Sequence, residues 1–177
     1  MEFVNKFSLT NKIIIITGGA GFLGKQFATA IANNNGTPVL LDVNYKKALL
    51  ICKNLKFFFG VSALAIKCNV TKENEVRKAL KIIKDKFSNK KIFGLVNNAA
   101  FNPKPIKNIN KNKNKLEKFS NKTWNEELSV GLSGAFICTK VFGYYFSTKK
   151  SGSIINISSD LGIKAPKQSI YKHLNYI

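Results

Sequence analysis

The stretch Thr17-Gly18-Gly19-Ala20-Gly21-Phe22-Leu23-Gly24 constrains this chain more than any other. It follows the apolar run Ile13-Ile14-Ile15-Ile16 and precedes a helical pattern that reaches about Asn34. A buried strand, a glycine turn and a helix N-terminus, in that order, form a site for pyrophosphate. The glycines let the backbone turn sharply and let an anion approach closely. The free N–H groups and the positive dipole end of the helix then face that anion. Asp42 ends the next apolar run, Pro38 to Leu41. A carboxylate there can accept hydrogen bonds from both hydroxyls of an adenosine ribose, and it would repel a 2′-phosphate. The pattern predicts a dinucleotide site at Gly18, Gly21, Phe22, Leu23, Gly24 and Asp42, with NAD favoured over NADP. The competing reading is a glycine-rich turn that binds nothing, and the strand, turn, helix and acid order argues against it.

The rest of the chain alternates in the same way. Helical spacing at Phe27, Ala30 and Ile31 predicts the inward face of the first helix, which Asn33-Asn34-Asn35 stops, with Gly36 as a left-handed cap. Tyr45 to Phe58 reads as a second helix with Leu49, Cys52, Leu55 and Lys56 at its turns, ended by Gly60. Ala63 to Ile66 is a third strand. Thr71 is the predicted N-cap of a third helix that carries Val76, Leu80, Ile83 and Phe87. Ile92 to Val96 is a fourth strand, ending in Asn97-Asn98-Ala99-Ala100. A long helix is predicted over about 123–147, with Leu128, Leu132, Ala135, Phe136, Thr139, Val141 and Phe142 as a broad apolar face and Trp124 as packing. Ser153 to Ile157 is a fifth strand, delivering Ser158 and Ser159. Strands alternating with helices imply an α/β fold, a doubly wound parallel sheet of about five strands.

Residues 101–122 break the alternation with two prolines and the run Asn108 to Lys115. This lysine- and asparagine-rich insertion reads as a solvated excursion, with a substrate-side lid or a basic contact patch as the alternative. The formal net charge of +20 raises nucleic acid or an anionic surface as a partner. Arg77 is the only arginine among 29 basic residues, however, and nucleic-acid sites favour arginine for bidentate contacts. Abundant lysine, asparagine and isoleucine fit an AT-rich coding bias instead, so nucleic acid is not the predicted partner. No apolar run is long enough for a membrane span, and the N-terminus lacks a signal-peptide pattern, so the default expectation is cytoplasmic with no membrane partner. Three separated cysteines predict reduced, structural thiols, and the single histidine predicts no metal.

Thr17 to Gly24, Asp42, Asn69-Val70, Asn97 to Ala100 and Ser153 to Ser159 together resemble the short-chain dehydrogenase/reductase family over nearly the whole chain. Val130 to Phe136 and Asp160 to Pro166 resemble members that modify surface glycans or flagellin. The resemblance implies a Rossmann-like sheet of order 3-2-1-4-5 and an NAD(P)-dependent oxidoreductase acting on an alcohol or carbonyl, a sugar derivative among them. It implies Asn69 and Val70 beside the adenine, Asn97 and Ala99 at the ribose edge, and Ser159 as the catalytic serine with Ser158 as runner-up. It also implies a homo-oligomer built on the long helix and the helix that would follow it. The sequence departs from the family at three places. Gly131 stands where asparagine is common, and Asn69 where aspartate is common. Tyr171 follows Ser159 by 12 residues, but position 175 is asparagine, so no Tyr-x-x-x-Lys pair follows the serine. Lys172 lies about 100° round a helix from Tyr171 and cannot substitute. On this reading residues 1–177 form a single NAD(P)-binding domain that lacks the usual last strands and stops short of its tyrosine and lysine. The alternatives are a non-catalytic dinucleotide-binding remnant and a basic nucleic-acid-binding module.

Overall fold

The computed structural model of the chain describes residues 7–101, 116–164 and 167. Its elements are β1 (Lys12–Thr17), α1 (Phe22–Asn33), β2 (Thr37–Asp42), α2 (Tyr45–Phe59), β3 (Leu64–Lys67), α3 (Glu73–Lys86), β4 (Lys91–Asn97), α4 (Asn121–Leu128), α5 (Gly134–Thr148) and β5 (Ser153–Asn156). The strands form one parallel sheet in the order β3-β2-β1-β4-β5. This is the doubly wound order that the family resemblance implies, with the strands winding outward from β1 to β2 and β3 on one side and to β4 and β5 on the other.

Alternate residues of β1 enter two different cores. Ile13 and Ile15 join Val39, Leu41, Val76, Ile83 and Phe142 on the α3–α5 side. Ile14 and Ile16 join Leu40, Ala28, Ile31, Ile51 and Leu55 on the α1–α2 side. A strand buried on both faces reads as an unbroken apolar run, which is why Ile13 to Ile16 carries no alternation. Such a sheet lifts the C-terminal ends of β1, β2, β3 and β4 to one rim, where the loops are free to build a site.

Several local expectations are corrected. Ala30 is exposed, and α1 buries Gly24, Ala28, Ile31 and Ala32 instead. The left-handed residue after α1 is Asn35, at φ 62°, not Gly36. Gly36 is held to glycine by contact, because a Cβ there would lie 2.7 Å from Ile31 Cγ2. Leu49 and Lys56 face outward on α2, which buries Ala48, Ile51, Cys52 and Leu55. Lys72, not Thr71, is the N-cap of α3; the Thr71 hydroxyl donates to Asn69 Oδ1 instead. The long helix is continuous from Asn121 to Thr148, but Ser129–Ser133 widens into a π-helical turn between α4 and α5. Leu132 and Phe136 are 67% and 66% exposed, and Leu128 and Trp124 are exposed as well, so only part of the apolar face read from the sequence, Val141 and Phe142 above all, meets the sheet. α5 buries Gly134, Cys138, Val141, Phe142 and Phe146. Most of the insertion, 102–115, and the tail carrying Tyr171 lie outside the described residues. Among the described residues no helix is long and apolar enough to cross a membrane, and no cluster of metal-ligating side chains forms.

Candidate dinucleotide site

The turn after β1 is fixed by backbone hydrogen bonds. The Gly18 and Gly19 N–H groups donate to the Leu41 carbonyl of β2, at 2.8 and 3.4 Å, and the Gly21 N–H donates to Gly18 O at 2.9 Å. Gly18 sits at φ 63°, which an L side chain rarely adopts. Gly24, in the first turn of α1, faces back onto the loop. A Cβ there would overlap the Gly18 carbonyl and lie 2.8 Å from Gly19 Cα. Two glycines therefore allow α1 to start directly against the strand end. The amides of Phe22, Leu23 and Gly24 are the first N–H groups of α1, which a helix leaves without intrahelical partners. Phe22 and Leu23 are exposed, while Gly24 is buried against the loop. No acidic residue occupies the first turn to compete with an anion.

Asp42 closes β2 beside this turn. Its Oδ2 accepts from the Ala20 N–H at 2.8 Å and its Oδ1 from the Asn44 N–H at 2.8 Å. Asn44 in turn caps α2, its side chain accepting from the Lys47 N–H. Val43, Asn44, Tyr45, Lys46 and Lys67 line a cavity of about 510 Å³ alongside. Lys67 is the register partner of Asp42 on β3, so an ammonium stem stands next to the carboxylate strand.

The end of β4 ties to the same turn through residues that the spacing alone did not single out. Thr17 Oγ1 accepts from the N–H groups of Asn98 and Ala99, each at 3.0 Å. The Asn98 side-chain amide donates to Thr17 O and Gly18 O. Asn98, rather than Asn97, is thus the asparagine that reaches the glycine turn. Asn97 is 5% exposed and turns into the fold. Its Nδ2 donates to Thr139 Oγ1 at 3.0 Å and to Asn156 Oδ1 at 2.8 Å, joining β4, α5 and β5. Its Oδ1 is buried with no partner. Ala99 stays at the rim, half-buried and packed under Gly18.

On the β3 side, Asn69 is half-buried, its Oδ1 accepting from the Thr71 N–H and hydroxyl. The Val70 side chain is buried against Gly134 of α5, so of the two predicted adenine neighbours Asn69 is the one at the rim. Cys68 is buried beside them. Burial, with a smaller push from the Glu75 carboxylate, raises its thiol to about 11, so it stays protonated and is no nucleophile. At the β5 end both serines are exposed. Ser159 Oγ accepts from the Leu161 N–H at 3.2 Å and lies 3.2 Å from Asp160 Oδ1, so it caps the short helical turn that follows. One Tyr-x-x-x-Lys spacing does occur, upstream of the serines, at Tyr145 and Lys149. It lies at the C-terminal end of α5, opposite the rim, where Tyr145 packs edge-on against Phe146.

These residues fit a nucleotide diphosphate. Amides without intrahelical partners stand at a helix start, two glycines leave the turn bare, and an acid closes the neighbouring strand. Similarity to known proteins agrees. Post-translational flagellin modification protein A of Campylobacter coli is 28% identical over 165 residues, 93% of this chain and 62% of the relative. A 3-oxoacyl-(acyl-carrier-protein) reductase of Synechocystis sp. is 30% identical over 168 residues, again 93% of this chain and 62% of the relative. The crystal structure of a short chain dehydrogenase from Bacillus anthracis superposes with a TM-score of 0.77 at 28% identity, over 90% of this chain and 61% of that one. The chain therefore spans about three-fifths of the length of these relatives. The family profile of the short chain dehydrogenases matches residues 12–172, from the first residue of β1 to beyond the serines, and the chain belongs to that family.

Proposed function

We propose that this chain is a single NAD(P)-binding domain of an oxidoreductase that exchanges hydride between a nicotinamide dinucleotide and an alcohol or carbonyl substrate. The observation that carries the reading is the start of α1, whose first amides have no intrahelical partner and stand between Asp42 and the Asn98–Thr17 tie. The nicotinamide, when bound, supplies the hydride acceptor or donor. The Phe22, Leu23 and Gly24 amides hold the diphosphate, and Asp42 accepts from the adenosine ribose. That carboxylate favours NAD, because a 2′-phosphate would meet a like charge. Asn69 borders the adenine, and Ala99 borders the ribose edge. Asn97 acts one layer below, by holding β4 to α5 and β5. Ser159, or Ser158 beside it, holds the substrate oxygen. Resemblance to surface-glycan-modifying members points to a sugar derivative as the substrate.

No Tyr-x-x-x-Lys pair follows Ser159 in these 177 residues, so none of them is assigned the proton exchange. The test is calorimetry with NAD and NADP on the purified chain, alongside turnover assays with the nicotinamide absorbance. NAD binding tighter than NADP is the expected result. Absence of binding by folded protein overturns the dinucleotide reading. Robust turnover that Tyr171→Phe abolishes would assign the proton exchange to Tyr171.

A further inference from the structure

Four consecutive amides, Gly18 to Gly21, all point back into the protein. Two reach the Leu41 carbonyl, one reaches the Asp42 carboxylate and one closes the turn on Gly18 O. Amides without a partner in the helix begin only at Phe22. The residue that turns the third amide inward is Asp42, and its carboxylate holds both the turn before α1 and the Asn44 amide before α2. Both bonds are 2.8 Å, the short length typical of a charged acceptor.

We propose that Asp42 is a positioning residue for the phosphate turn, shaping it before any ribose arrives. This rests on the dinucleotide reading but goes beyond it, since a ribose acceptor need not touch the turn at all. The two roles predict opposite effects of Asp42→Asn. An amide is nearly the same size, but it offers one acceptor oxygen and one donor group where two N–H groups converge. One bond must fail, with donor facing donor. If Asp42 only reads the ribose, removing its charge weakens NAD and relieves repulsion of the 2′-phosphate, so NADP tightens. If Asp42 also shapes the turn, the diphosphate site shared by both cofactors is lost, and both affinities fall.

The experiment combines calorimetry with amide exchange on the chain free of cofactor. In wild type, the Ala20 N–H should exchange as slowly as the Gly18 N–H, while those of the exposed Phe22 and Leu23 exchange quickly. In Asp42→Asn, Ala20 exchange should speed up at least tenfold, with the amides of Ile13 to Ile16 unchanged, and affinity for NAD and NADP should each drop at least tenfold. NADP tightening as NAD weakens overturns the proposal, as does Ala20 exchange that is fast in wild type or unchanged in the variant. If the variant loses protection at Ile13 to Ile16 it has unfolded, and the wild-type Ala20 rate then decides. If wild type binds neither nucleotide, the dinucleotide reading fails while the exchange arms still judge the brace.

Discussion

At the scale of single residues, two glycines in helical positions have opposite needs. Gly24 is surrounded: an added methyl would collide with the Gly18 carbonyl and crowd Gly19 Cα. Backbone atoms cannot step aside as a flexible side chain can, so α1 must move off the strand end. We expect Gly24→Ala to cost about 1–3 kcal/mol, the range for overpacking, and to weaken dinucleotide binding at least tenfold. Gly131, in the π-helical turn, has nothing within 4 Å of an added Cβ. There the dominant effect is backbone entropy, and Gly131→Ala should stabilise by about 0.5–1 kcal/mol. Denaturant midpoints of the two variants, moving in opposite directions, check both. The first glycine was legible as part of a motif, because strand, turn and helix fix its surroundings. The second was visible only as a departure from the family, and its open setting depends on where α5 lies.

Elements were easiest to read where the sheet covers them on both sides. Ile13 to Ile16 and Val39 to Leu41 can be nothing but interior strands once helices flank them, and they are buried. The long helix was harder. Its sequence carries two apolar stripes, and periodicity marks a stripe without saying which one meets the sheet. The single broad face read from the sequence divides: Leu128, Leu132 and Phe136 are exposed, while Val141 and Phe142 are buried beside Gly134 and Cys138, because the small Gly134 lets Val70 approach. The Asn97–Thr139–Asn156 cluster was equally hidden, since its partners lie 42 and 59 residues from Asn97 in sequence. The same long-range logic applies to Glu73 at the start of α3. It accepts from Lys140 of α5 at 2.9 Å and from Arg77 of its own helix. These two hydrogen bonds, Lys140's the larger, pull its carboxyl below the ordinary 4.5. A depressed folded pKa contributes stability above the unfolded value, and that stability is lost as pH falls through the folded one. Wild type should therefore exceed Glu73→Gln in denaturant midpoint at neutral pH. The two should converge as pH falls through the lowered folded value, and in high salt at any pH, because this network is exposed. A gap that persists in acid would mean that Glu73 acts through something other than its charge.

For the whole molecule, the informative feature is that one sheet separates two cores and each holds buried thiols. Cys52 lies on the α1–α2 side, and Cys68 and Cys138 on the α3–α5 side. All three are unpaired and buried, as the sequence predicted. Burial pushes Cys52 and Cys68 up to about 11 and Cys138 up to about 12. Thiols are reactive as thiolates, so none should react in the closed protein at pH 8. The unfolded chain ionises near pH 8.5 and the folded chain does not, so stability should also fall as pH rises from there toward 11. Modification by a thiol reagent then reports how each layer opens. A sheet whose central strand feeds both cores should open as one unit, because neither layer can leave without uncovering Ile13 to Ile16. We expect the three cysteines to label at one common slow rate in native buffer and all at once in denaturant. Mass spectrometry of partially labelled protein distinguishes the cases. Similar occupancy at Cys52 and Cys138 supports a single cooperative unit. Early labelling of Cys138 and Cys68 would show that the α3–α5 layer, next to the exposed strand β5, opens separately from the layer that carries the glycine turn.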